Sequence, residues 1–177
     1  MAVLSRAALL LLVLLATGGC RGGAEQWGPF RGQVVDAETG QPISGAHVMV
    51  AWDRDNPNPV HWTQSFHDAH ETVTDASGRF EIPRERRLPS ILVRGPRFAA
   101  FAPGYVAEAE DVTPPGGRPY VDATILRMRR LGTLEERCQH IPGSPGIAAG
   151  RKVPLFVTAV QEYVTGLNCR WPVGEQR

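Results

Sequence analysis

The chain has 177 residues, 42% of them apolar and 21% charged, with a formal net charge of +1 at pH 7. A length of this order holds one moderate domain with appendages, and without a basic excess or an acidic tail nothing points to nucleic acid as a partner. The 19 glycines and 15 prolines fit many short strands joined by turns better than a helical protein.

Met1 to Arg6 carries a positive charge, and Ala7 to Ala16 is an unbroken apolar run. A membrane-spanning helix needs about 20 such residues. This run has the length of a signal-peptide core, and the small residues Thr17, Gly18 and Gly19 follow it. The segment Leu15-Ala-Thr-Gly-Gly-Cys20 resembles the bacterial lipoprotein signal, in which the cysteine is lipidated and becomes the new N-terminus. Thr17 departs from the aliphatic residue usual at that position, and ordinary secretion with Cys20 lost or free is the alternative. The resemblance implies a signal peptide over 1–19 and a lipidated cysteine with its tether over 20–27. Several acyl chains on Cys20 then give firm anchoring, since a single chain binds a membrane only marginally. Arg21 rather than an aspartate follows the cysteine, which by the same resemblance implies the outer membrane, facing the periplasm.

Trp27 and Phe30 stand where the first strand begins and are expected to plug one end of the core. From Phe30 to Val50 the chain reads as strand, tight turn, strand. Val34 and Val35 precede Asp36-Ala-Glu-Thr-Gly40, where a carboxylate can accept backbone amides two residues on and a glycine can take positive φ. Pro42 and Gly45 lead out of the turn. Ala46, Val48 and Val50 then alternate with the period of a half-buried strand. A second block, Thr74-Asp75-Ala-Ser-Gly78-Arg-Phe80-Glu-Ile82, repeats the pattern, with Phe80 and Ile82 on one face. A third, Phe98 to Tyr105, ends in Pro103-Gly104.

These three blocks, in this order, resemble the carboxypeptidase regulatory-like domains over roughly residues 28–129. The resemblance implies a mainly β fold, a seven-stranded transthyretin-like Greek-key sandwich over 28–130, of a kind found widely in bacterial envelope proteins. One sandwich hosts many unrelated tasks. With the export signals above and the lack of enzyme motifs noted below, the reading is a non-catalytic cell-envelope module, binding or structural, with an envelope protein or glycan as partner and no cofactor.

Trp52 to Phe66 reads as an insertion between strands, because Pro57 and Pro59 offer no donor to a central ladder. Trp52 and Trp62 flank it and form a possible binding surface, a platform for sugar rings if both are exposed. His61, His67, Asp68, His70 and Glu71 follow closely, with Asp53 and Asp55 upstream. Imidazole and carboxylate suit zinc or copper, so His61, His67 and His70 are candidate ligands. On a regular strand His67 and His70 face opposite sides, and a solvated polar loop is the plainer reading. Arg84-Glu-Arg-Arg87 reads as a solvated charged loop. Ile91-Leu-Val93 resumes a strand that Gly95-Pro96 breaks. Asp111 to Arg118 is a turn, and Tyr120 to Leu126 alternates as a final strand with Val121, Ala123 and Ile125 on one face.

The periodicity changes over the C-terminal extension, 131–177. Thr133 is a suitable N-cap with Glu135 and Glu136 in the first turn, which predicts a helix to about Gln139. Leu155, Val157, Ala159, Val160, Tyr163, Val164 and Leu167 form a helical stripe expected to pack on the sandwich. Cys138 and Cys169 make an even pair in an exported protein, read as a disulfide rather than two thiols. Two enzyme families use related sandwiches. The C-terminal Tyr-Arg-Gly-Ser of hydroxyisourate hydrolases is absent, and the tyrosine–histidine order of intradiol dioxygenases does not fit. No Gly-x-Ser-x-Gly, His-Glu-x-x-His or phosphate loop occurs either. A metal-binding or metal-dependent role for the His61–Glu71 cluster is the alternative.

Overall fold

The computed structural model describes residues 27–58, 60–87, 90–107, 124–142 and 147–169. The signal-like segment, Cys20, its tether, the Pro114–Gly117 turn and the expected strand residues Tyr120 to Ala123 lie outside them.

Among the described residues seven strands form two sheets: β1 (Phe30–Asp36), β2 (His47–Pro57), β3 (Trp62–Val73), β4 (Arg79–Ile82), β5 (Val93–Phe101), β6 (Tyr105–Ala107) and β7 (Thr124–Arg130). One sheet has the order β4-β1-β7-β6 and the other β3-β2-β5. Only the β1–β7 pairing among these is parallel. The inner faces of the sheets meet in a core that includes Phe30, Val34, Val48, Val50, Trp52, Phe80, Ile82, Phe98, Leu126 and Met128. The expected alternation thus places Val48 and Val50, and Phe80 and Ile82, inward. In β7 the inward face carries Leu126 and Met128, and Ile125 is exposed. The register explains the parity: Val34, which points inward, pairs with Leu126.

Local chemistry sets the turns. Asp36 Oδ1 accepts the amides of Glu38 and Thr39 at 3.0 and 2.9 Å. Asp75 Oδ1 does the same for Ser77 and Arg79. Gly78 takes φ +71° and packs so closely that a Cβ there would stand 2.6 Å from the Val34 carbonyl oxygen. Gly95-Pro96 does not end a strand as its sequence implies. β5 runs through it with a register shift against β2, and Ile91 and Leu92 fall in the turn before the strand.

The extension contributes α1 (Leu134–Gln139), one helical turn α2 (Ile147–Gly150) and α3 (Pro154–Leu167). Thr133 caps α1 in a reciprocal capping box with Glu136, and Asn168 ends α3 in the left-handed conformation. α3 lies on the outer face of the β3-β2-β5 sheet, where Phe156 meets Phe101 beside Ala51 and Ala69. The stripe differs from expectation at its start: Phe156 is buried and Leu155 is exposed. Pro at the first helical position fixes where the helix begins, and so which residue of the first turn faces the sheet. Cys138 and Cys169 form a disulfide, Cα–Cα 5.7 Å, which joins the end of α1 to the end of α3.

Candidate functional site

The polar residues singled out in the sequence are separated by a β-bulge. Trp52 pairs with Asp68 and Asp53 with Phe66, which leaves His67 without a register partner. A bulge re-aims the side chains next to it. Asp68 and His70, opposite Trp52 and Val50, therefore share the inner face of the edge strand. Ala69 and Glu71, opposite Ala51 and Met49, face helix α3. The Asp53–Phe66 hairpin is a continuation of β2 and β3, not an insertion: the pairing reaches Pro57 and Trp62. Pro57 is tolerated because β5 pairs with β2 only as far as Arg54.

Asp68 is 2% exposed, and a carboxylate so deeply buried needs compensation. Lys152 Nζ lies 3.1 Å from Asp68 Oδ1, and the Ala69 amide donates to the same oxygen at 2.9 Å. Arg87 pairs with Asp68 and with Glu85 and places its guanidinium 5.3 Å from the centre of the Trp27 ring. The segment bearing Glu85 and Arg87 is tied to the start of the sandwich. There the Glu85 amide donates to Trp27 O at 2.9 Å and Arg84 Nε donates to Gly28 O at 2.8 Å. Burial raises the Asp68 pKa, but the Lys152 hydrogen bond, the Ala69 amide and the Arg87 charge outweigh it, so the carboxyl titrates below its ordinary value.

His70 Nε2 approaches Glu85 Oε1 to 2.5 Å without hydrogen-bond alignment, and its ring packs on Trp52 at 5.7 Å. His67 lies against Trp27 at 5.9 Å. Its pKa falls below the ordinary histidine value, first through burial and then through the charges of Arg54 and Arg87. One ligand atom from each of Asp68, His70 and Glu85 can be chosen so that all three lie within 4.8 Å of one another. A cation there would have to displace Arg87 from both carboxylates and Lys152 from one.

Of the candidate metal ligands, His61 stands exposed at the hairpin tip, where its amide donates to Asn58 Oδ1. His67 and His70 belong to the cluster. Glu71 is committed elsewhere: its carboxylate accepts the amides of Leu155 and Phe156 at 2.9 and 2.7 Å. Trp52 corrects the expected aromatic surface. It is 1% exposed, whereas Trp62 is 64% exposed, so no paired platform forms. Strand parity turns Trp52 inward, where Trp27 and Phe30 pack against it at 5.1 and 5.9 Å. Glu85, Arg87 and Lys152 complete the cluster and were not singled out from the sequence. The run Arg84–Arg87 is therefore not simply a solvated face.

On the outer face of the sheet, Asp53, Gln64, Ser65, Phe66, Arg94 and Arg97 line an open cleft of about 390 Å³. Arg97 Nη2 meets Asp53 at 2.7 Å and Arg94 Nε meets Asp55 at 2.5 Å. Burial raises the Asp55 pKa, and the Arg94 and Gln64 hydrogen bonds lower it further than that, so it stays ionised.

No curated protein matches the chain. A search of solved structures finds a 9R-lipoxygenase from Cyanothece PCC8801, at 18% identity and TM-score 0.28, over 72% of this chain and 19% of that one. The chain thus spans about a fifth of that protein, and the likeness is too slight to bear on fold or function. The carboxypeptidase regulatory-like domain family matches residues 30–126, more than half of the chain and nearly all of the sandwich. The chain belongs to the carboxypeptidase regulatory-like domain family, whose members are generally non-catalytic modules.

Proposed function

We propose that this protein is a non-catalytic lipoprotein module of the bacterial cell envelope, exported, anchored through lipid on Cys20 and serving a binding or structural task. The observation that carries the reading is the Cys138–Cys169 disulfide. It uses the two cysteines other than Cys20, in a chain with 3 in all, and such pairs persist in oxidising compartments. The signal-like segment before Cys20 and the family membership agree with it. The outer membrane, facing the periplasm, is the location that Arg21 favours. Burial of Trp52 removes the stacked aromatic platform that a glycan would use, so an envelope protein is the favoured partner. The cleft beside Asp53 and Arg97 offers it paired charges and hydrogen-bonding groups. The test is acyl labelling of the chain expressed in a Gram-negative host, with pull-down from its envelope. Acylation lost in Cys20→Ala, with a specific envelope protein recovered, is expected. An unacylated soluble chain defeats the anchor.

A second reading rests on one observation, the convergence of Asp68, His70 and Glu85. It makes the protein a metal-binding module or a metal-dependent enzyme. Zinc or copper titration of the chain, beside a variant with His61, His67 and His70 replaced by Ala, separates the readings. Stoichiometric metal lost in the variant favours the second. Melting unchanged by either metal favours the first.

A further inference from the structure

Among the described residues eight large apolar side chains are exposed, and four of them stand together at one end of the sandwich, whereas Val73, Ile125, Leu134 and Leu155 are scattered elsewhere. Ile91 is 99% exposed, Val60 87%, Trp62 64% and Leu92 38%. All four lie on the two connections leaving the end where Trp27 sits. Pairing of Phe30 with Ile82 and contact of Phe30 with Trp52 establish that the β2–β3 hairpin and the β4–β5 connection depart from this same end.

These side chains are held in place. Beyond Arg54, the last β2 residue paired with β5, the hairpin continues to the Pro57–Trp62 pair. Three residues of strand project roughly 10 Å. Asn58 Oδ1 accepts the amides of both Val60 and His61 at 2.9 Å and shapes the tip. The Ile91–Leu92 turn closes through the Val93 amide on Ser90 O at 3.2 Å, and Leu92 O accepts the Asp55 amide at 2.8 Å. The turn is thereby pinned to the base of the arm.

Cys20 stands seven residues before Trp27 in the sequence, a chain length that spans at most about 25 Å. A lipid on Cys20 would keep this end within that distance of a bilayer, and the arm is short enough to reach the surface within it. We propose that this end of the sandwich faces the membrane and that Val60, Trp62, Ile91 and Leu92 rest in the lipid–water interface as a second point of attachment. The inference rests on the lipid-anchor reading. Indole suits this position because it joins a large apolar ring to an N–H that remains hydrated. Four side chains bind a bilayer weakly alone, but the anchor turns their contact into an intramolecular event at high effective concentration. The sandwich is then fixed in orientation, with α3 and the Asp53–Arg97 cleft presented to the side.

The disulfide leaves Cys20 as the one thiol of the chain, which allows a direct test. The mature chain from Cys20 is coupled through that thiol to a maleimide lipid in phosphatidylcholine vesicles that carry bromine on the acyl chains near the headgroups. Tryptophan emission, read in a Trp171→Phe background so that Trp62 is the one indole not buried in the core, is expected to be quenched, the quenching to disappear when Trp62→Phe is added, and to weaken in a Val60→Asp, Ile91→Asp variant of unchanged melting temperature. Unquenched emission from the tethered chain overturns the proposal, because the end then faces away or is reserved for a protein partner. Quenching that persists in Trp62→Phe overturns it as well. The mass of the Cys20 peptide recovered from bacterial membranes is a separate readout: an unmodified cysteine there defeats the native anchor and leaves the vesicle result to be judged by itself.

Discussion

Glu71, on edge strand β3, accepts the backbone amide of Phe156 at 2.7 Å and that of Leu155 at 2.9 Å. A helix leaves its first amides without intrahelical partners, and Val153 at the N-cap makes no side-chain capping bond. A strand residue thus caps α3 from a distance, with its negative charge at the favourable end of the helix dipole. Glu71→Ala is expected to lower unfolding stability by about 1–2 kcal/mol, and Glu71→Gln, which keeps one acceptor, by less. Urea midpoints measure both; an unshifted midpoint would mean that Phe156 packing alone holds the helix.

Arg87 and Lys152 share Asp68 unequally. Arg87 bridges Asp68 and Glu85 and covers Trp27, whereas the Lys152 side chain is 54% exposed and makes one contact at 3.1 Å. Arg87→Ala is expected to cost about 2–3 kcal/mol, because it leaves the buried Asp68 carboxylate to Lys152 and the Ala69 amide and uncovers Trp27. Lys152→Ala should cost less than about 1 kcal/mol, as exposed ion pairs do. Equal losses in thermal melts would refute the ranking.

Gly78 and Gly40 share a positive φ, +71° and +69°, but not surroundings. A Cβ at Gly78 would meet Val34 O at 2.6 Å, and one at Gly40 would meet nothing within 4 Å. Gly40→Ala should cost roughly 1–2 kcal/mol for the left-handed backbone alone. Gly78→Ala should cost more than that, roughly 3 kcal/mol, since Val34 and the turn must also move apart. Chemical denaturation of the two variants gives the comparison.

Two histidines are expected to make stability pH-dependent. Burial lowers the pKa of His47, against the weaker opposing charges of Glu71 and Glu162; His47 Nδ1 is buried without a hydrogen-bond partner among the described residues. His67 is lowered by burial, Arg54 and Arg87, against the weaker pull of Asp68 and Glu85. The unfolded chain takes up these protons near the ordinary value of about 6.5, while the folded chain does so only at lower pH. Their contribution is therefore present above about pH 6.5 and is lost as pH falls through the window beneath it. The melting temperature should drop between roughly pH 7 and pH 5, with a shallower slope in His47→Gln. A parallel slope in that variant would remove His47 from the account.

The disulfide spans 31 residues of sequence, so replacing both cysteines with serine should lower stability by roughly 3–4 kcal/mol in the chain-entropy treatment. Calorimetry of the variant and of the reduced protein should agree. If both melt like the oxidised protein, the helices are held by the sheet alone.

Much of the molecule was legible where the governing interactions are local. The Asp36 and Asp75 turns, the alternation of Val48 and Val50, and the Thr133 N-cap with Glu136 in the first turn each depend on residues within a few positions of one another. Side-chain spacing and turn chemistry are sufficient at that range. The three sequence blocks that resemble the family correspond to β1–β2, to the turn after β3 together with β4, and to the end of β5 with the start of β6.

What tertiary structure decided was pairing and parity. One unpaired residue, His67, shifts the register of β3, so the inward placement of Asp68 and His70 depends on a partner strand that the sequence does not identify. Asp68 meets Arg87 19 positions away, Asp55 meets Arg94 39 away, and Glu71 meets Phe156 85 away. Burial of Trp52 and exposure of Trp62 follow in the same way, from which side of the sandwich each strand position faces. The sequence by itself determined strands, turns, caps and the resemblance to the family, because short-range sterics and hydrogen bonds act wherever those residues stand. Which charges neutralise one another, and which apolar side chains remain outside at the Trp27 end, depends on surfaces that come together only when the two sheets close.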